Sequence, residues 1–210
     1  MKELLDQVLA QCAPYIEQGR LASYIPELAK VNPQGFAISV VEPGGAMTCT
    51  GDVETAFTMQ SIIKPIILLV ALMDNGADAV RQLVGVESTG KPFDAFNYSD
   101  QALNGEHINP MINTGAIALC SLIKGETYLE KFNKILDMTR KISGNPHIHI
   151  DEQVYASEKA TGNKNRALAY MLKAYGMISD PVEEVLDCYF RACSIRVSCK
   201  DLARIGRIFA

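Results

Sequence analysis

One strand–turn–strand signature stands in a chain whose remaining pattern is almost wholly helical, and that imbalance limits the fold more than any other feature. "GFAISVVEPGGAMTCTG" runs apolar and β-branched from Phe36 to Val41, turns at Pro43-Gly44-Gly45, and continues from Ala46 to Thr50, the pattern of a β-hairpin. Ahead of it, "MKELLDQVLAQCA" sets Leu4, Leu5, Val8, Leu9 and Cys12 on one face of an amphipathic helix. Beyond it, apolar residues recur at helical spacing over 62–75, 112–124, 127–142, 165–175, 181–193 and 199–209. Residues 77–110, rich in Gly, Asn, Asp and Ser, read as irregular, and a loop of that length is commonly functional. Two strands alone are marginal in water, and Phe36, Ile38, Val40 and Val41 are too apolar for an exposed ribbon. The expected class is α+β: a helical subdomain beside an antiparallel sheet that is incomplete in this chain and is finished by strands it lacks or by a partner. Residues 1–60 supply the first helix and the hairpin, and residues 61–210 the mainly helical part of the same domain.

Composition narrows the partners. With 48% apolar residues the chain can bury a real core, and a net charge of −4 without a basic cluster argues against nucleic acid. The longest apolar run, "PIILLVALM", is too short to span a bilayer, so no membrane partner is expected. "LAQC" near the N-terminus resembles a lipoprotein cleavage site only faintly, because Glu3 and Asp6 interrupt the apolar segment and Gln11 is not small. A cytoplasmic protein is the default reading. The six cysteines, at 12, 49, 120, 188, 193 and 199, form no C-x-x-C and read as reduced thiols.

The chemistry-bearing stretch is "TMQSIIKPIILLVALMDNG", which sets Ser61 and Lys64 three residues apart just ahead of the apolar run. That spacing places two side chains on one helix face, roughly 5–6 Å apart at Cβ. Pro65 has no N–H to return and is tolerated best in a first turn, so Ser61 falls at the helix N-terminus, where the dipole favours developing negative charge. An amine held against so much apolar surface loses solvation; lowering its pKa from about 10.4 toward 7 or 8 takes roughly 4 kcal/mol, which burial can supply. Lys64 would then be a base for the Ser61 hydroxyl. Spacing alone does not select this pair, because Ser121-Leu-Ile-Lys124 repeats it just before Gly125. There a lysine complements a helix C-terminus and the serine reads as structural.

Other candidates read blandly one at a time. His147 and His149 in "HIHIDE" share one side of an extended segment, but no third ligand accompanies them and no metal is expected. "YSDQ" at 98–101 resembles the Ser-Asp-Asn element of penicillin-recognising enzymes, yet its third residue is Gln and a loop start fits it better. Asn109 and Asn113 lie four apart with Pro110 in the first turn, so both amides sit near a helix N-terminus, as caps or as readers of a polar substrate. Glu158 and Asn165 flank a Gly-Asn loop and pass as surface residues; Tyr189 shares a helix face with Leu186 and Cys193 and passes as core.

Taken together, "GRLASYIPELAKVNPQGFAISV", "TMQSIIKPIILLVALMDNG", "NPMINTGAIALCSL", "DEQVYASEKATGNKNRALAYML" and "VLDCYFRACSI" resemble the serine-dependent glutaminases, in one order from about residue 19 to the end. The resemblance implies a β-lactamase/transpeptidase-like fold and hydrolysis of L-glutamine to L-glutamate and ammonia, without metal or organic cofactor, in a homo-oligomer, often a tetramer. It makes Ser61 the nucleophile and Lys64 the base, with Ser61, Asn113, Glu158, Asn165 and Tyr189 at substrate-contacting positions. A carboxylate such as Glu158 suits the α-ammonium of glutamine, and the Asn amides suit its α-carboxylate. The family continues well past Ala210, with a Lys-Ser-Gly element, another tyrosine and an oxyanion-binding amide, so the chain is expected to lack the family's C-terminal third. The alternative is a non-catalytic glutaminase-like fragment that acts as an assembly or regulatory subunit.

Overall fold

The computed structural model describes residues 1–88, 90 and 108–210. Helix α1 (Lys2–Cys12) leads through two 3₁₀ turns, Ala13–Gln18 and Pro26–Lys30, into a hairpin of β1 (Ala37–Val41) and β2 (Met47–Gly51). The hairpin forms as the sequence predicts. Its strands pair antiparallel from Ala37 opposite Gly51 to Val41 opposite Met47, and the Gly45 amide closes the turn on the Glu42 carbonyl at 2.8 Å. α1 rests on β2, but of its apolar stripe only Leu5 is buried, with Leu4 exposed.

Strand β3 (Phe57–Thr58) then precedes a 3₁₀ turn, Gln60–Ile63, that runs directly into α2 (Lys64–Leu83). α2 is longer than the periodicity indicates. Gly76, at φ 80° and ψ 168°, breaks the helical path, which only a residue without Cβ takes easily, and the helix resumes so that Val80 is buried. Residues 77–83 are therefore helical rather than irregular; the Tyr98–Gln101 stretch lies outside the described residues.

Helices α3 (Asn113–Leu122), α4 (Tyr128–Ser143), α5 (Glu152–Thr161), α6 (Asn163–Ala174) and α7 (Val182–Cys193) follow, then β4 (Arg196–Val197) and α8 (Cys199–Phe209). α5 has no counterpart among the helices expected from periodicity. It is capped by Asp151, whose carboxylate accepts from the amides of Gln153 and Val154 at 3.1 and 3.0 Å. Glu158 thus lies in the last turn of a helix, not beside a loop, and Asn165 lies in the first turn of α6. The short β3–β4 ladder pairs Phe57 with Val197 and Thr58 with Arg196, and the Met59 amide adds a bond to the Ile195 carbonyl at 2.8 Å. This ladder ties the segment entering Ser61 to the segment leaving α7.

The class is α+β, as expected. α3 runs through the middle of the helical part, packed on α2, α6 and α7, and every residue from Asn113 to Cys120 is buried. Ile67, Ile117, Leu119, Ile135 and Leu186 are fully enclosed in the main core. A small satellite cluster of Ile25, Leu28 and Val154 anchors the segment before the hairpin to α5. No helix of the described residues is long and apolar enough to cross a membrane.

Candidate active site

Three helices begin at one place. α2 starts at Lys64, α3 at Asn113 and α6 at Asn163, and none has a side-chain N-cap. Their first-turn amides and dipoles give that place a positive character with no added cation. Lys64 is 2% exposed although it is a lysine, and its Nζ donates to Asn113 Oδ1 at 2.7 Å. Asn113 Nδ2 donates in turn to Asn165 Oδ1 at 2.9 Å. The Tyr189 hydroxyl, from α7, donates to the same Asn113 Oδ1 at 3.3 Å. Ser61, three residues before Lys64 in the 3₁₀ turn, is exposed, so the change from accessible hydroxyl to buried amine falls where the turn stops and the helix starts.

On the other side stand two helix C-termini. Glu158 ends α5 and is 5% exposed, and its Oε2 has no hydrogen-bond partner among the described residues. Burial pushes its carboxyl up from 4.5 to about 8. Cys193 ends α7, and its thiol is held well above the usual range, first by burial and then by the charge of Glu158. Tyr189 bridges the two sides. Its hydroxyl is raised well above the usual value by burial, with Cys193 and Glu158 adding to it. A ligand that carries an anion toward the helix starts and a cation toward Glu158 would satisfy both halves.

The structure brings together Lys64, Asn113, Asn165 and Tyr189 by direct hydrogen bonds and sets Glu158 electrostatically against Tyr189. Asn109 is elsewhere engaged: its Oδ1 accepts from the Met111 amide at 2.8 Å and its Nδ2 donates to the Glu87 carbonyl at 3.0 Å. The Ser121 hydroxyl is taken by the Ala118 carbonyl at 2.7 Å, and Lys124 is exposed. His147 and His149 are exposed, the second turned to the first one's carbonyl at 2.9 Å.

Two residues that the sequence did not single out also belong here. Gln60, just before Ser61, is the one non-glycine residue with positive φ among the described residues, at 49°; that region costs roughly 1 kcal/mol for an L-residue. Its side-chain amide donates to Thr58 Oγ1 at 3.3 Å and to the Cys193 carbonyl at 3.4 Å, and accepts from the Tyr24 hydroxyl at 3.4 Å. Tyr24 is 67% exposed, and its hydroxyl is pushed up by partial burial and then by the charge of Glu158. An exposed tyrosine and a glutamine carry no periodicity signal. What could have found them is their place inside two of the family-like stretches.

Comparison with known proteins identifies the family. The glutaminase family profile matches residues 19–210. Glutaminase 2 of Clostridium perfringens (strain 13 / Type A) is 45% identical over 210 residues, which is all of this chain and 69% of that protein. A glutaminase of Clostridium botulinum (strain Loch Maree / Type A3) is 47% identical with the same coverage. Among solved structures, Mglu in its glutamate form superposes with a TM-score of 0.89 at 34% identity, covering 100% of this chain and 49% of Mglu. A probable glutaminase from Bacillus subtilis complexed with 6-diazo-5-oxo-L-norleucine gives 0.86 at 36% identity, covering 99% of this chain and 62% of that one. The chain thus spans about two thirds of the curated relatives and about half of Mglu. Matched over its whole length by relatives at 45–47% identity, the chain belongs to the glutaminase family.

Proposed function

We propose that this chain carries the site that hydrolyses L-glutamine to L-glutamate and ammonia. The observation that carries the reading is the orphaned, buried Glu158 oxygen across from the Lys64–Asn113–Asn165 chain. An α-amino acid meets both demands: its ammonium pairs with Glu158 and its carboxylate faces the helix starts and their amides. Ser61 then lies where the side-chain amide can reach it.

Lys64 in its neutral form takes the Ser61 proton, and Oγ bonds to the amide carbon of glutamine. The proton passes from Lys64 to the leaving nitrogen, the C–N bond breaks, and ammonia departs. Water, deprotonated by the same amine, attacks the ester, and the proton returns to Ser61 as glutamate leaves. Developing charge on the carbonyl oxygen is favoured by the dipole of the helix that Ser61 opens. No metal or organic cofactor enters these steps, and the enzyme in this reading is a cytoplasmic homo-oligomer, a tetramer in its most frequent form.

Covalent labelling tests it. 6-Diazo-5-oxo-L-norleucine has the α-amino acid end of glutamine and a diazoketone in place of the amide. Expected is loss of N₂ and an adduct on Ser61, found by peptide mass spectrometry and suppressed by L-glutamate. An adduct on another residue would move the nucleophile, and no adduct, with ammonia release also absent, would favour the non-catalytic reading.

A further inference from the structure

We infer that Asp187 is a positioning residue: by clamping α5 to α7 it fixes the register of the helix that carries Glu158. The inference rests on the glutamine reading above.

α5 has few apolar anchors. Of its ten residues, Val154 and Tyr155 are the buried apolar ones; Tyr155 joins the main core and Val154 the small satellite cluster. A polar clamp supplies what packing does not. Asp187 of α7 has a side chain only 4% exposed, and both of its oxygens are engaged. Oδ1 accepts from the Tyr155 hydroxyl at 2.5 Å and from Lys159 Nζ; Oδ2 accepts from Arg191 Nε at 3.0 Å. The Arg191 guanidinium also lies over the Tyr155 ring at 4.2 Å and reaches Tyr128 and Phe132 of α4, at 5.9 and 6.0 Å from their ring centres. Burial pulls the Asp187 carboxyl up, but Lys159, Tyr155 and Arg191 outweigh it and keep it below the usual range.

The spacing shows what the clamp controls. Tyr155 and Lys159 are four apart on α5, and Asp187 and Arg191 are four apart on α7, so each pair forms one ridge. Glu158 stands on the neighbouring ridge of α5, three past Tyr155, whereas Tyr189 and Cys193, two past Asp187 and Arg191, lie round the other side of α7. The clamp therefore sets how far α5 is advanced and turned against α7, and Glu158 is carried with it. Slipping α5 by one residue would move Glu158 by about 1.5 Å and swing it by about 100°. The clamp acts through position rather than charge: its cations are turned to Asp187, and burial alone accounts for the raised Glu158 carboxyl.

The test uses the full-length protein and two ligands, L-glutamine and glutaramate, which keeps the amide and the carboxylate but has no α-amino group. For Asp187→Asn, KM for glutamine should rise by about tenfold with kcat within about twofold, while the inhibition constant of glutaramate stays within about twofold. Lys159→Met, at a side chain 48% exposed that the fold can spare, should shift KM the same way by a smaller factor and decides the matter if Asp187→Asn does not fold. Glu158→Gln serves as the reference. If it fails to separate the two ligands, the glutamine-binding reading is wrong. If it separates them while the clamp variants weaken both ligands equally, or leave KM unchanged, the positioning role of Asp187 is overturned.

Discussion

One Ser-x-x-Lys pair, Ser61 and Lys64, meets the start of α3 from α2, another, Ser121 and Lys124, closes the end of α3, and the two differ in almost everything except spacing. At the N-terminus of α3 Asn113 receives Lys64, which is 2% exposed, while Ser61 stands open at the start of α2. Near its C-terminus Ser121 spends its hydroxyl on the Ala118 carbonyl, and Lys124 points into water while its backbone amide donates to Asp74 at 2.9 Å. Helix dipoles have opposite sign at the two places. An anion forming on Ser61 would be stabilised by the helix it opens; one forming on Ser121 would be repelled by the helix it ends. Spacing brings a hydroxyl and an amine together, but burial of the amine and the end of the helix decide whether they have chemistry.

The widest separation between the pairs is expected from Ser61→Ala against Ser121→Ala in the full-length protein. Ammonia release should fall by roughly 10³-fold or more in the first, and stay within about twofold in the second, where only a local bond worth about 1 kcal/mol is lost. Comparable losses with both folds intact would end the distinction. Next comes the base. Lys64→Arg keeps the charge, but guanidinium does not deprotonate in proteins, so kcat should fall by about 10²–10⁴-fold. Lys124→Arg, at an exposed helix end, should be silent. An active Lys64→Arg enzyme would reduce Lys64 to a fixed positive charge.

The same contrast explains what was legible in the sequence. Seven helices, the hairpin and its turn follow from apolar periodicity and Gly-Pro punctuation, because there the chain obeys one rule at a time. α5 escapes the pattern because its third buried position is Glu158, so the apolar stripe breaks after Val154 and Tyr155. The β3–β4 ladder is two residues long on each side, too short for any alternation to register. Individually, Asn113 reads as a cap, Asn165 as a surface residue and Tyr189 as core. They join Lys64 in one hydrogen-bonded group because three helix starts converge beside α7, and no local pattern encodes convergence. Only the family-like blocks could mark them, and those blocks did so without giving geometry.

Glu158 supplies a pH signature that the Ser121 region cannot share. Its carboxyl is raised from 4.5 to about 8 by burial, so the folded protein holds a proton there that the unfolded chain releases. The associated stability is fully present below about 4.5, declines as pH rises through the window to about 8, and is flat above it. Binding runs the other way. An ammonium pairs with the ionised carboxylate, so KM for glutamine should drop by about tenfold per pH unit on approaching 8 from below, then level. Glu158→Gln should raise KM and erase both slopes, in melting temperature and in KM. A pH-independent KM between 6 and 8 in the unmodified protein, with its fold intact, would remove Glu158 from the ammonium site.

The smallest expected difference comes from two glycines, one beside each pair of regions compared. Gly162 joins α5 to α6, between Glu158 and Asn165, and a Cβ there would come within 2.5 Å of the Phe190 ring and 2.9 Å of the Glu158 carbonyl. Neither neighbour is a flexible chain end, so the junction must shift, at a cost of roughly 1–3 kcal/mol. Gly125 follows Lys124, and a Cβ there meets Glu130 and Lys131 at 3.1 Å, contacts that a few tenths of an ångström relieve. Gly162→Ala should therefore lower the melting temperature and raise KM for glutamine several-fold, by displacing Glu158 and Asn165 relative to each other. Gly125→Ala should change stability slightly and leave KM alone. Equal effects on KM from the two alanines would mean that the α5–α6 junction has no privileged link to the site, and that its glycine serves packing only.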